Sequence, residues 1–193
     1  MVVTASGSCP PTRRAAPLPP DERRAAIVSA VLPLVIEHGD GVTSRQLAGA
    51  AGVSEGTIFN VFADKDELLA AALEAALDQG PFENSVAEID RTVPLDDQLV
   101  AATELIQHRI VDIWRLLSSL GPRPEESERP LPVSAELTAL FTEHTDQITV
   151  EPPEAARLLR ALTLSLTHPL LTAEPLDAAR IVEVFLHGVG GRS

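Results

Sequence analysis

The stretch from Gly41 to Lys65, GVTSRQLAGAAGVSEGTIFNVFADK, constrains this chain more than any other. Thr43 stands where a side-chain oxygen can cap a short helix, and Leu47, Ala48 and Ala51 give that helix a compact apolar face. Gly52 supplies the turn, where positive φ or a close helix crossing needs a residue without Cβ. Ser54 can cap a second helix, in which Ile58 and Phe62, four apart, share one face. Small Ala48 lets the two helices approach. Two short helices joined this tightly form a helix-turn-helix, whose second helix enters the major groove of DNA.

The rest of the chain reads as helices around that unit. Residues 1–20, rich in Pro, Ser and Ala, predict a disordered arm, with Arg13 and Arg14 either solvated or reaching a DNA minor groove. A helix is expected over 21–38, capped by Asp21, with Ile27, Ala30, Val31, Leu34 and Val35 as its stripe and a kink or tolerated loss of a bond at Pro33. Gly39 and Gly41 end it. A helix over 64–79 opens on the D-x-x-E pattern of Asp64 and Glu67 and stops at Gly80-Pro81. Residues 81–94 are ambiguous, with room for a short helix near 83–89. A long helix over 95–120 presents Leu99, Ala102, Ile106, Ile110, Ile113, Leu117 and Leu120. A charged, Pro-rich loop follows over 121–132. Ser134 caps a helix to about residue 148, Pro153 opens one ending at His168-Pro169, and Pro175 opens the last. With aromatics at 3% and hydrophobics at 45%, the core is aliphatic, which favours packed helices. The expected fold class is all-α, with about nine helices.

Several pieces occur in a recognisable order: Ile27 and Ala30, Gly39, T-x-R-Q-L-A from Thr43, A-G-V-S from Ala51, G-T-I-F-x-x-F from Gly56, and D-K-D-x-L from Asp64. Over residues 21–78 this resembles the N-terminal domain of tetracycline-repressor (TetR) type regulators; the last hundred residues match only in helical layout. The resemblance implies a three-helix helix-turn-helix head over 21–80 and a helical ligand-binding and dimerisation body over 81–193. It further implies a homodimer through the last two helices, double-stranded operator DNA of palindromic sequence as partner, and a ligand whose binding releases or engages that DNA. Repression is the family's usual sign. The family also places a basic residue at Lys65, the chain's only lysine, on a DNA phosphate at a helix N-terminus. Two departures bear on affinity. Phe59 stands where Tyr is common and has no hydroxyl, and Val61 stands where a polar residue is frequent.

The candidate DNA-binding residues are Thr43, Arg45, Gln46, Ser54, Glu55, Gly56, Thr57, Phe59, Asn60 and Lys65. Arg45 can fork onto phosphate or guanine, and Gln46 can read adenine or stay hydrated. Thr43 caps, contacts a phosphate, or both. Gly56 permits close backbone approach, Thr57 offers a hydroxyl or a methyl, and Asn60 can pair with adenine. Glu55 either accepts from cytosine or simply favours the helix N-terminus.

Net charge is −13, with six Lys or Arg against ten Asp or Glu in residues 1–80 and nine against eighteen in 81–193. Phosphate contact depends on local cations, so sparse cations predict weak non-specific binding and a shallow salt slope. Cys9 is the only cysteine, which excludes an intramolecular disulfide and a cysteine zinc site. The histidines have no zinc-protease spacing, so no metal and no cofactor are expected. Neither a nucleophile elbow nor a phosphate loop is present, and the chain does not read as an enzyme. No apolar run reaches membrane-spanning length and the N-terminus lacks a signal-peptide core, so a cytoplasmic protein is expected. A small apolar effector is expected in the body. Its candidate pocket residues are Thr103, Ile106, His108, Ile110, Trp114, Leu117, Phe141 and His144. Trp114 either walls the pocket or only fills core. The alternative function is a helical interaction protein that kept this fold and lost DNA binding.

Overall fold

The computed structural model describes residues 19–120 and 133–188. Arg13, Arg14 and Cys9, the loop expected over 121–132 and the closing Gly190-Gly191 lie outside the described residues. Nine α-helices occupy the described chain: α1 (Pro20–His38), α2 (Ser44–Ala51), α3 (Glu55–Phe59), α4 (Lys65–Leu77), α5 (Gly80–Ala87), α6 (Leu95–Leu120), α7 (Ala135–Thr142), α8 (Pro152–Thr167) and α9 (Ala178–His187). A 3-10 turn, Gly39–Gly41, links α1 to α2, and no strand occurs among the described residues.

Two apolar cores organise these helices. The first joins Ile27, Val31 and Val35 of α1, Leu47 and Ala48 of α2, Ile58 of α3, Phe62, and Leu68, Leu69 and Leu73 of α4. The second joins α5 through α9 around Leu99, Ala102, Ile106, Leu140, Phe141 and Leu159. Helix α6 belongs to both. Its first half is buried in the second core, and Leu116, fully buried, completes the first. The expected stripe ran through Leu117 instead, which is only half-buried. The helix changes the core it serves along its length, so a single stripe does not describe it.

Where α6 meets the head, the backbone leaves no room. Gly39 has φ +54°, and a Cβ there would fall 2.0 Å from Ser119 Cβ. Glycine is therefore required twice over, by conformation and by contact.

Four element boundaries differ from the sequence expectation. Helix α1 begins at Pro20, with no side-chain cap, and Asp21 lies inside its first turn, where a carboxylate suits the helix dipole. It continues through Pro33, whose ring is on the exposed side, and Ala30 is exposed too. Gly80-Pro81 opens α5 and does not close α4, which ends at Leu77 with Asp78 as its C-cap. Helix α7 stops at Thr142: the Glu143 N–H bonds back to Ala139 and Phe141, and the polar run to Gln147 continues only as turns. That run has no apolar face to bury. The last helix starts at Ala178, not at Pro175, because Asp177 Oδ1 accepts the Arg180 N–H at 2.8 Å and fixes the first turn.

Candidate functional site

The helix-turn-helix is built by caps. Thr43 Oγ1 accepts the Gln46 N–H at 3.3 Å, and Gln46 Oε1 accepts the Thr43 N–H at 2.9 Å, a reciprocal capping box. The Thr43 hydroxyl also donates to Gln46 Oε1, at 2.7 Å. The acceptor end of Gln46 is thus turned to its own helix, leaving its NH2 group for an outside partner. Gly52 closes α2 in the left-handed conformation, φ +66°. Ser54 then accepts the Thr57 N–H at 3.2 Å, and the two hydroxyls lie 2.8 Å apart.

With Ile58 and Phe62 buried, the opposite face of α3 is left to solvent. Ser54, Glu55, Gly56 and Asn60 are exposed, Phe59 is 44% exposed, and Thr57 is half-buried. Arg45 and Gln46 are exposed on α2. A Cβ at Gly56 would meet nothing closer than Ser54 Oγ at 3.9 Å. The protein's own packing does not demand a glycine there, whereas a close external backbone would. Val61 is half-buried against the head core, and its carbonyl accepts from Arg24 at 3.3 Å.

The cations of the head are unequally available. Arg24 pairs with Glu67 at 2.8 Å and lies over the Phe62 ring, 4.3 Å from its centroid, so it ties α1 to α4. The Lys65 ammonium donates to the Asp40 carbonyl and pairs with Asp40 Oδ1 at 3.0 Å. Arg45 forms no ion pair among the described residues. The start of α4 is also occupied. Asp64 Oδ1 accepts the Glu67 N–H at 2.8 Å, and Glu67 Oε2 accepts the Ala63 N–H at 2.6 Å. That second bond, and then Arg24, hold the Glu67 carboxyl below the usual carboxylate range. The anion attraction expected at this N-terminus is largely met by the chain's own carboxylates.

In the body, α5, α6 and α8 border a partly open cavity of about 200 Å³. Ile106, Ile110, Trp114 and Leu117 line it, as do Phe82, Ile113 and Leu164. Its polar lining is Arg109, Arg160 and His168. Burial lowers the pKa of both guanidinium groups, and Arg160 lowers that of Arg109 further. The His168 ring stands edge-on to Trp114, with centroids 6.3 Å apart. The other expected pocket residues lie elsewhere. His108 is exposed, Thr103 and Phe141 are fully buried in the second core region, and His144 follows α7 beside Gln147. The termination of α7 at Thr142 takes His144 off the helix face on which it was expected. Ile113 also stands outside the expected set, as do Arg109, Arg160, Phe82, Leu164 and His168, which three helices and the residue after α8 supply and no single local spacing links. Among the described residues no group of three or more His, Cys, Asp or Glu side chains is placed to hold a metal ion, and no helix is long and apolar enough to cross a membrane.

Residues 27–72 match the family model described as bacterial regulatory proteins, tetR family. The whole fold is similar to a TetR-family transcriptional regulator from Mesorhizobium loti (18% identity, TM-score 0.56, covering 88% of this chain and 98% of that one). It is also similar to a TetR transcriptional regulator from Streptomyces coelicolor (22% identity, TM-score 0.55, 86% and 97%). A third is the TetR-like regulator LfrR of Mycobacterium smegmatis in complex with proflavine (20% identity, TM-score 0.53, 89% and 99%).

Proposed function

We propose that this chain, a member of the tetR family of bacterial regulatory proteins through its head, is a ligand-responsive transcription regulator that represses from a palindromic operator as a cytoplasmic homodimer. The observation that carries this reading is the capped helix-turn-helix with its exposed polar face, in a head against which one end of α6 packs while the middle of that helix lines a cavity in the body. The head is assigned to residues 21–80 and the body to 81–193, with Leu116 of the body reaching into the head core.

Base reading is assigned to Asn60, Gln46 and Glu55, close backbone approach to Gly56, and phosphate contact to Arg45, Lys65, Thr43, Ser54 and Thr57. Phe59 supplies an apolar contact. Lys65 reaches a phosphate only by leaving Asp40, so its contact is an exchange of one anion for another. Dimerisation through α8 and α9 is supported by an outward face of α8, where Leu158 is 42% exposed beside exposed Ala161 and Ser165, and by Leu170 at 80%. The cavity is the effector site. A ligand acts by binding the DNA-competent and incompetent states unequally. No catalytic residue is assigned.

Selection from random-sequence DNA tests the reading. A two-fold dimer should enrich an inverted repeat. Asn60→Ala should then relax preference at one position per half-site by roughly 1–3 kcal/mol. Lys65→Ala should weaken all sequences alike and flatten the salt slope by about one unit per phosphate contact removed. Failure of a folded dimer to enrich any sequence overturns the proposal. That outcome favours the second reading, a helical interaction protein without DNA binding, which draws on the missing hydroxyl at Phe59 and the engagement of Lys65 by Asp40.

A further inference from the structure

The effector cavity is not uniformly apolar. Its wall of Ile106, Ile110, Trp114 and Leu164 is interrupted by two guanidinium groups and one imidazole, and among the described residues no Asp or Glu lines it. We infer that it takes a compact amphipathic anion, a carboxylate held between Arg109 and Arg160 with an apolar acyl or ring body against α6 and α8. This rests on the reading of the cavity as the effector site, and it narrows the expectation of a small apolar effector to one with an anionic head.

The geometry favours an anion in three ways. First, Arg109 is held in place: its Nη2 donates to the Leu77 carbonyl at 2.9 Å, and its Cζ stands 5.8 Å from the Phe82 centroid. The fork retains further N–H donors, and a planar guanidinium matches a carboxylate in shape as well as charge. Second, Arg109 and Arg160 are both half-buried on facing helices and repel one another. A negative group between them relieves that repulsion, a neutral one leaves it, and a cation adds to it. Third, the two described carboxylates that attract these groups stay off the wall. Asp78 and Glu83 attract the guanidinium groups, but neither lines the wall, and Glu83 Oε2 accepts the Glu136 N–H at 2.8 Å. His168 Nδ1 accepts the Leu170 N–H at 3.2 Å, which in the neutral ring places the proton on Nε2 as another donor. A cavity of about 200 Å³ is below the roughly 300–1,000 Å³ of sites for drug-sized molecules, which suits a small acid.

Trp114 is the only tryptophan and lines the cavity, so its emission reports occupancy. The full chain would be titrated with octanoate, phenylacetate, octanamide and octylammonium. The carboxylates should change emission saturably at concentrations about tenfold or more below octanamide, and octylammonium should give no saturable change. Octanoate ahead of phenylacetate marks an acyl-chain source, and the reverse marks an aromatic acid. Arg109→Gln and Arg160→Gln should each weaken octanoate about tenfold while leaving octanamide unchanged. Arg115→Gln, at an exposed position on the same helix, should alter neither. Should the Gln variants lose their helical circular dichroism, the head-group comparison on the unaltered chain decides alone. Equal affinity for octanoate and octanamide overturns the anion assignment and leaves the cavity. Saturable change with none of the four overturns both. Carboxylate binding that leaves selected operator DNA bound overturns the ligand-responsive mechanism but not the anion site.

Discussion

In the head, α2 and α3 are eight and five residues long, and each starts on a hydroxyl that accepts an amide of its first turn. In the body, α6 and α8 are 26 and 16 residues long, and α8 begins with prolines and no side-chain cap. Helices as short as the first pair do not persist alone in water, because nucleation costs more than a few bonds return. They need caps to begin and a shared core to remain. The long helices are held by packing along their length and tolerate rougher ends. The head therefore presents a fixed polar face, while the body keeps a void between helices that are secure enough to leave it unfilled.

The largest test of this contrast is at the seam. Gly39→Ala meets both a positive φ and Ser119, so it should destabilise by about 2–4 kcal/mol in denaturant titration. A loss of under 1 kcal/mol would mean that head and body are less tightly joined than the contact implies. Next, Ser54→Ala removes the cap of the shortest helix and should cost about 1 kcal/mol. Hydrogen exchange should show faster amides in α3 and unchanged ones in α8. Equal loss in both would break the division between cap-dependent and packing-dependent helices. The smallest effect is with acid. The Glu67 carboxyl sits below its ordinary value of 4.5 in the folded chain, through the Ala63 N–H and then Arg24. Its contribution is present above that ordinary value and is lost as pH falls through the lower folded value. The stability difference between the unaltered chain and Glu67→Gln should therefore vanish in acid. Asp90 is lowered likewise, but by its own turn at Thr92, so Asp90→Asn should leave the α1–α4 contact intact.

These regions were unequally legible in the sequence. Thr43, Gly52, Ser54 and Asp64 act on residues within three or four positions, so their roles follow from spacing alone, and each is where the pattern put it. The matched stretch 27–72 is the same local region. The partner of Lys65 is 25 residues away, at Asp40, and no local rule connects them. The cavity is harder still, because Phe82, Arg109 and Arg160 come from three helices whose relative rotation only packing decides. The end of α7 and the cap at Asp177 were missed for a simpler reason. Proline and an apolar period are strong local signals that extend past the polar run after Thr142 and start short of the aspartate that caps α9.

The span of α6 has a mechanical consequence. At 1.5 Å per residue, Ser119 is about 30 Å along the helix from Leu99, which is fully buried in the body core. The cavity residues Ile106 to Leu117 lie between these points. Taken as a rigid lever pivoting at Leu99, the helix amplifies whatever is done at its middle: a tilt of about 2° carries Ser119 by about 1 Å. The far end bears on Gly39, the immediate neighbour of Asp40, whose carboxylate grips Lys65. A side chain pressed aside in the cavity is thereby within one contact and one peptide bond of the carboxylate that pairs with the chain's single lysine.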